Sequence, residues 1–217
     1  MRAGRKSLAF NLLLIGGLLL TFILYFLKKD GDLIWNFFLM FQVIWAIGLS
    51  LLFKEVSVQA NTDALTGLFN RNYFNEKLYN IKTKGPISLI LLDLDNFKNI
   101  NDLYGHLAGD TVLQKVAEIL KNVTRKVDII VRWGGDEFAV VLWETTEQEA
   151  LNIAQRIKTQ IENYDFVFGQ SRVRISVSIG IASMQESDLN DKDQLFKTAD
   201  EALYLAKGKK KLITVST

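Results

Sequence analysis

Ile129-Ile130-Val131-Arg132-Trp133-Gly134-Gly135-Asp136-Glu137-Phe138-Ala139-Val140-Val141-Leu142-Trp143 is two short apolar runs joined by a glycine pair. Such a pattern predicts a β-hairpin whose tip carries Asp136 and Glu137. The turn demands Gly134 and Gly135 whatever the activity, so alone they establish no catalysis. Upstream, after Pro86, Ile87 to Leu92 is a nearly continuous apolar run, a buried strand that ends at Asp93-Leu94-Asp95. Downstream, Val173, Ile175, Val177, Ile179 and Ile181 alternate with Arg, Ser and Gly, the pattern of a half-buried strand. Apolar residues recur at helical spacing within 71–82 (Tyr73, Phe74, Leu78, Ile81) and at Val112, Val116, Ile119 and Leu120. The same spacing returns at Ala150, Ile153, Ala154, Ile157 and Ile161, and at Leu195, Ala199, Ala202, Leu203 and Ala206; a last strand follows over Leu212 to Val215. Hairpins mixed with helices predict an α+β domain, with a mostly antiparallel sheet covered by helices. No internal repeat is present.

Residues 1–60 differ in character. Leu8 to Leu27 and Leu33 to Phe53 are uncharged runs of twenty and twenty-one residues. At about 1.5 Å per residue each would span roughly 30 Å as a helix, the thickness of a bilayer core. Asn11, Asn36 and Gln42 interrupt them and are suited to hydrogen bonds between helices. The first run is too long for the apolar core of a signal peptide and lacks a clear small-residue cleavage site. The expectation is a membrane hairpin over 1–53, a linker helix over 54–62 and a soluble domain over 63–217. Arg2, Arg5 and Lys6 favour a cytoplasmic amino terminus, which would place the domain on the cytoplasmic face of a bacterial-type inner membrane; Lys28 and Lys29 in the connection count against it.

Of 217 residues, 49% are hydrophobic, and one proline accompanies 14 glycines, so neither a disordered nor a collagen-like chain is indicated. The absence of cysteine excludes disulfides, zinc–thiolate sites and cysteine nucleophiles. His106 is the single histidine, which excludes a multi-histidine metal site. A net charge of +2 is too small to point to a nucleic-acid partner.

Chemistry concentrates at two acidic places. Asp93 and Asp95 end a buried strand two residues apart and share a face; Asp136 and Glu137 follow the glycine turn. If the two places meet on neighbouring strands, their repulsion calls for a hard cation, and oxygen donors suit Mg²⁺ or Mn²⁺. Acidic turn residues standing in water are the equal alternative at this point. His106 reads as part of a turn or helix start, and Trp133, Trp143 and Phe138 as core.

Three segments, in order, resemble the motifs of the GGDEF family of diguanylate cyclases: Asp63-Ala64-Leu65-Thr66-Gly67-Leu68-Phe69-Asn70-Arg71, then Asp93 through Asp110, then Arg132 through Phe138. The resemblance covers about residues 61–217. It implies a five-stranded central sheet flanked by helices, similar to the palm of class III nucleotide cyclases. It also implies condensation of two GTP into cyclic di-GMP, with release of pyrophosphate, between the facing half-sites of a homodimer. By that resemblance Asp93, the carbonyl of Leu94 and Asp136 match the family's ligands for Mg²⁺ or Mn²⁺. Glu137 would hold a second ion or help deprotonate the attacking hydroxyl. The backbone at Asn96 and Phe97, with Lys98 and Lys207, would meet the triphosphate, and Asn101 and Asp110 would read guanine. In the late motif Lys211 stands where the family usually has arginine, so the cation survives without the planar fork.

Arg125-Lys126-Val127-Asp128 matches the family's inhibitory product site, with Arg156 as a secondary contact. Arginine suits phosphate and the acceptor edge of guanine, aspartate its donor edge. The uncharged runs together with the resemblance lead to the expectation of a membrane-anchored cyclase inhibited by its product. The rival is an idle receptor that binds cyclic di-GMP through Arg125 and Asp128; intact Asp93, Asp136 and Glu137 favour the enzyme.

Overall fold

The computed structural model describes residues 16–17, 19–23, 33–79, 83, 85–185, 192–209 and 213–216. The chain divides into two compact units, residues 1–60 and 61–217.

In the first unit helix α1 runs Leu33–Asn61, so the expected second span and linker form one continuous helix. Thr21 Oγ1 donates to Gln42 Oε1 at 2.8 Å, and the rings of Phe41 and Trp45 stack. Among the described residues no helix is long and apolar enough to cross a membrane, so the expected two-span hairpin finds no support there. Most of the first span, 8–27, lies outside the described residues, and of the second only the side chains of 36–50 are described.

The second unit is built on the buried run seen in the sequence. The elements that follow α1 are β1 (Phe69–Asn70), α2 (Arg71–Tyr79), β2 (Ile87–Leu94), α3 (Phe97–Tyr104), α4 (His106–Val123), β3 (Ile129–Gly134), β4 (Glu137–Trp143), α5 (Glu147–Glu162), β5 (Phe166–Phe168), β6 (Ser171–Val173), β7 (Val177–Met184), α6 (Lys192–Lys209) and β8 (Ile213–Ser216). Strands order as β1-β3-β4-β2-β7-β8, with β5 and β6 forming a separate hairpin. The four central strands pair antiparallel. Both edge strands pair parallel, β1 to β3 and β8 to β7.

The sheet is therefore six-stranded and mixed, not five-stranded. The extra strand is the two-residue β1, which has no periodicity of its own and exists through its pairing with Val131 and Arg132. A second correction concerns residues 173–181. They form no single half-buried strand: β6 ends at Val173 and β7 begins at Val177. The first six residues of β7 are all buried. Small residues explain the burial of both faces, because a Cβ on Gly180 would collide with the backbone of Ala199 and Leu203 in α6.

Strand β2 separates two cores by simple alternation. Ile90, Leu92 and Leu94 join α4 and α5 in one. Ile87, Leu89 and Leu91 join Phe74 of α2 and Leu195, Ala199 and Leu203 of α6 in the other. Each such side chain, fully buried, stabilises the fold by about 1.5–3 kcal/mol before entropy is counted. Ser88, the first polar residue on β2, donates to the Thr145 carbonyl at 2.8 Å and meets Ser183 Oγ at 2.6 Å. Alternation also fixes where the acids go. Asp93 continues the odd-numbered series of β2 and so faces α6.

Candidate active site at the hairpin tip

Register brings the two acidic places together. Asp93 on β2 lies directly opposite Glu137 on β4 and opposite Ser178 on β7. The Leu94 N–H donates to the Asp136 carbonyl at 3.3 Å, tying the strand end to the hairpin tip. Gly135 turns the tip with φ +47, and the β3–β4 register slips between Arg132 and Gly134, a bulge that re-aims the acids. Asp95, just past the strand, accepts from Ser178 Oγ at 2.7 Å. The nearness of Asp93, Glu137 and the Asp136 backbone is thus a consequence of strand pairing.

Their electrostatics follow from crowding. Burial pushes the Asp93 carboxyl above its ordinary range, and Asp136 and Asp95 push it further, while Lys207 pulls it down. Burial likewise raises Glu137, with Asp93, Asp136 and Asp200 adding to the rise and Lys207 opposing it. Lys207 Nζ stands 2.7 Å from Asp93 Oδ2. Among the described residues no group of three acidic or histidine side chains is drawn together as around a metal ion. The donors nevertheless fit a hard cation: every candidate is an oxygen, and two carboxylates carry the cost of burial and mutual repulsion that a cation would relieve.

Next to the acids, Asn96 is left-handed, with φ 57 and ψ 27, and its side chain makes no capping hydrogen bond to α3. The first N–H groups of α3 therefore have no side-chain acceptor at their cap, an arrangement suited to a phosphate. Phe97 is buried under this turn, whereas Lys98 is exposed. Gly105, at φ +83, joins α3 to α4, and His106 opens α4 as expected. The helix pair brings Asn101 against Gly109, the neighbour of Asp110. A Cβ on Gly109 would overlap the Asn101 amide oxygen and meet the Phe97 ring at 3.1 Å. Asn101 and Asp110 are both half-buried.

Arg125 is exposed at the end of α4. Asp128 is 8% exposed; its Oδ2 accepts from the Arg125 N–H at 2.8 Å, and its Oδ1 is buried without a partner. Both residues line a cavity of ≈ 270 Å³ with Lys121, Lys126, Gly67 and Phe69. Arg156, exposed on α5, is not among its lining residues. Lys211 lies outside the described residues.

Two residues of the recognised motifs carry contacts that their sequence context does not announce. Arg132 NH1 donates to both oxygens of Asp63 at 3.1 Å. Its Nε and NH2 donate to the Gly135 carbonyl at 3.0 and 2.8 Å. Asp63 also accepts from the Thr66 N–H at 2.9 Å and Thr66 Oγ1 at 2.6 Å. Burial would raise the Asp63 carboxyl, but the Thr66 hydrogen bonds and the Arg132 guanidinium hold it below its ordinary value. One clue was available: Asp63 opens its motif and Arg132 stands two residues before the glycine pair.

Comparison with known proteins identifies the family of the chain. The family model described as "Diguanylate cyclase, GGDEF domain" matches residues 60–212. Diguanylate cyclase A of Treponema denticola is 39% identical over 162 residues, 71% of this chain and 43% of that protein. Diguanylate cyclase DosC of Escherichia coli is 38% identical over 163 residues, 72% of this chain and 35% of that protein. The chain therefore spans less than half the length of these two relatives. Among solved structures, the coiled coil and GGDEF domain of DgcB from Caulobacter crescentus, in complex with c-di-GMP, superposes with a TM-score of 0.75 at 25% identity, covering 83% of this chain and 98% of that one. Matched by that family model over residues 60–212, with relatives 38–39% identical, this chain belongs to the GGDEF-domain diguanylate cyclase family.

Proposed function

We propose that this chain condenses two GTP into cyclic di-GMP, releasing two pyrophosphates, at a metal-dependent site shared by a homodimer. The observation that carries the reading is the pairing of Asp93 with Glu137 across β2 and β4, with Asp136 tied to Leu94 beside them. Asp93, the Leu94 carbonyl, Asp136 and Glu137 would hold Mg²⁺ or Mn²⁺, which would offset phosphate charge and make the attacking hydroxyl more acidic. The α3 turn at Asn96 and Phe97, with Lys98, Lys207 and Lys211, orients the triphosphate. Asp110 and Asn101 accept from the N1–H and 2-amino donors of guanine; adenine lacks that pair and would leave them unsatisfied. Each 3′-hydroxyl then attacks the α-phosphate of the other GTP. One P–O bond forms, the bond to the β-phosphate breaks, and pyrophosphate leaves. Glu137 would take the hydroxyl proton or help hold the ion.

Arg125 and Asp128 serve as an inhibitory product site on the cavity beside β3, supported by the cations Lys121 and Lys126 in its wall. The amino-terminal unit anchors the chain to a lipid bilayer as a two-span hairpin with the catalytic domain on the cytoplasmic face. Supporting this are the two uncharged runs of twenty and twenty-one residues in the sequence.

The test is incubation of the purified full chain with GTP and Mg²⁺, with products identified by mass. Cyclic di-GMP and pyrophosphate are expected, and a chelator should stop their formation. Binding of cyclic di-GMP without synthesis would favour the idle receptor instead.

A further inference from the structure

Lys207 sits where a cation is needed. Its helix is anchored by Leu203, one turn earlier and buried against β2, so the stem of Lys207 starts from a fixed point beside the acids. Its ammonium pairs with Asp93 at 2.7 Å, although 43% of the lysine side chain is exposed and only 11% of the aspartate. The partner that can leave is therefore the lysine; Asp93 is too enclosed for water to replace the pair fully. An ammonium is a compact point charge on a flexible four-carbon stem and commits to no fixed coordination geometry.

We propose that Lys207 is a placeholder cation: it occupies the Asp93 carboxylate until a metal–nucleotide complex displaces it, which couples metal binding to nucleotide binding. The inference rests on the reading of Asp93 as a metal ligand. A free divalent ion reaching the site must break the Lys207–Asp93 pair and leave the ammonium in water. When a nucleotide arrives with the ion, the triphosphate gives the displaced ammonium a new anionic partner. The two ligands then favour each other by the same factor in both directions, as linkage requires. The competing account is an ion pair of no consequence, since partly exposed pairs contribute little to stability.

The test uses the full chain in detergent and reads binding, not turnover. Mn²⁺ affinity is measured without nucleotide, and affinity for 3′-deoxy-GTP, which lacks the attacking hydroxyl, is measured with and without Mn²⁺. Lys207→Met should bind Mn²⁺ roughly 2- to 5-fold more tightly than wild type in the absence of nucleotide, the size of one partly exposed ion pair. Its metal–nucleotide coupling should fall by a similar factor. Lys207→Gln, with a different shape and equally uncharged, should behave alike. Unchanged or weaker Mn²⁺ affinity in both variants, with wild type binding Mn²⁺ normally, overturns the placeholder and leaves the metal site standing. Failure of wild type and variants to bind Mn²⁺ even with nucleotide overturns both.

Discussion

Replacing Arg132 by alanine should slow catalysis without touching an acid, and the structure sets the size of the effect. The guanidinium spends two donors on Asp63 and two on the Gly135 carbonyl. It is 16% exposed and Asp63 is 23% exposed, so the pair is partly shielded from solvent. Hydrogen bonds to charged groups contribute about 1.5–3 kcal/mol each, but Asp63 keeps both Thr66 donors when the arginine goes. A net loss of about 2 kcal/mol follows, or roughly 4–8 °C in melting temperature for a chain of this size. Activity should fall further than stability. Gly135 is the turn that aims Asp136, and an ångström of misplacement at a reacting centre costs on the order of 100-fold. The melting curve has a pH signature. The Asp63 carboxyl lies below its ordinary value, so its contribution is complete above the unfolded value of about 3.9 and is lost as pH falls through the folded one. Arg132→Ala should move that loss to higher pH. The assay is initial rate and thermal melting for Arg132→Ala, Asp63→Ala and the double variant. A coupling of about 1–2 kcal/mol between the two sites is expected. Additive effects, or wild-type turnover in Arg132→Ala, would refute the reasoning.

Three further outcomes are expected. Gly109→Ala puts a methyl group onto the Asn101 amide and should raise the KM for GTP about 10-fold or more, with a smaller change in kcat; steady-state kinetics checks it, and an unaltered KM removes Asn101 from the guanine site. A chain beginning at Asn61 should be poorly active when dilute and recover on fusion to a dimeric coiled coil; specific activity independent of concentration contradicts the need for a second half-site. Arg125→Ala should raise the cyclic di-GMP concentration needed for half-inhibition while leaving synthesis intact; coincident inhibition curves would reduce Arg125 and Asp128 to a surface pair.

Local signals made most of this fold readable. The β2 run, the glycine hairpin and the α4, α5 and α6 faces are visible because their periods or turn residues lie within a few positions. What escaped depends on distance along the chain. Strand β1 is two residues long and owes its existence to β3, more than sixty residues later. The sequence 173–181 alternates like one strand, yet the pattern does not show that α6 closes on Gly180 and buries the second face. In the site, the acids were legible from motif and strand end. The Asp63–Arg132 bridge spans 69 residues and was not. Sequence alone marks Lys207 as a cation near a helix end that suits phosphate; its pairing with Asp93 depends on which face of β2 meets α6.

The central claim is that Asp93, Asp136 and Glu137 form one metal-dependent centre that joins two GTP. Its most direct test is the initial rate of cyclic di-GMP formation, with saturating GTP and Mg²⁺, by wild type and by Asp136→Asn. The substitution keeps the side-chain shape and removes a ligand charge. The account predicts synthesis by wild type and a fall of at least ~100-fold in the variant, about 2.7 kcal/mol of transition-state stabilisation. A folded Asp136→Asn protein that makes cyclic di-GMP at near wild-type rate would contradict it.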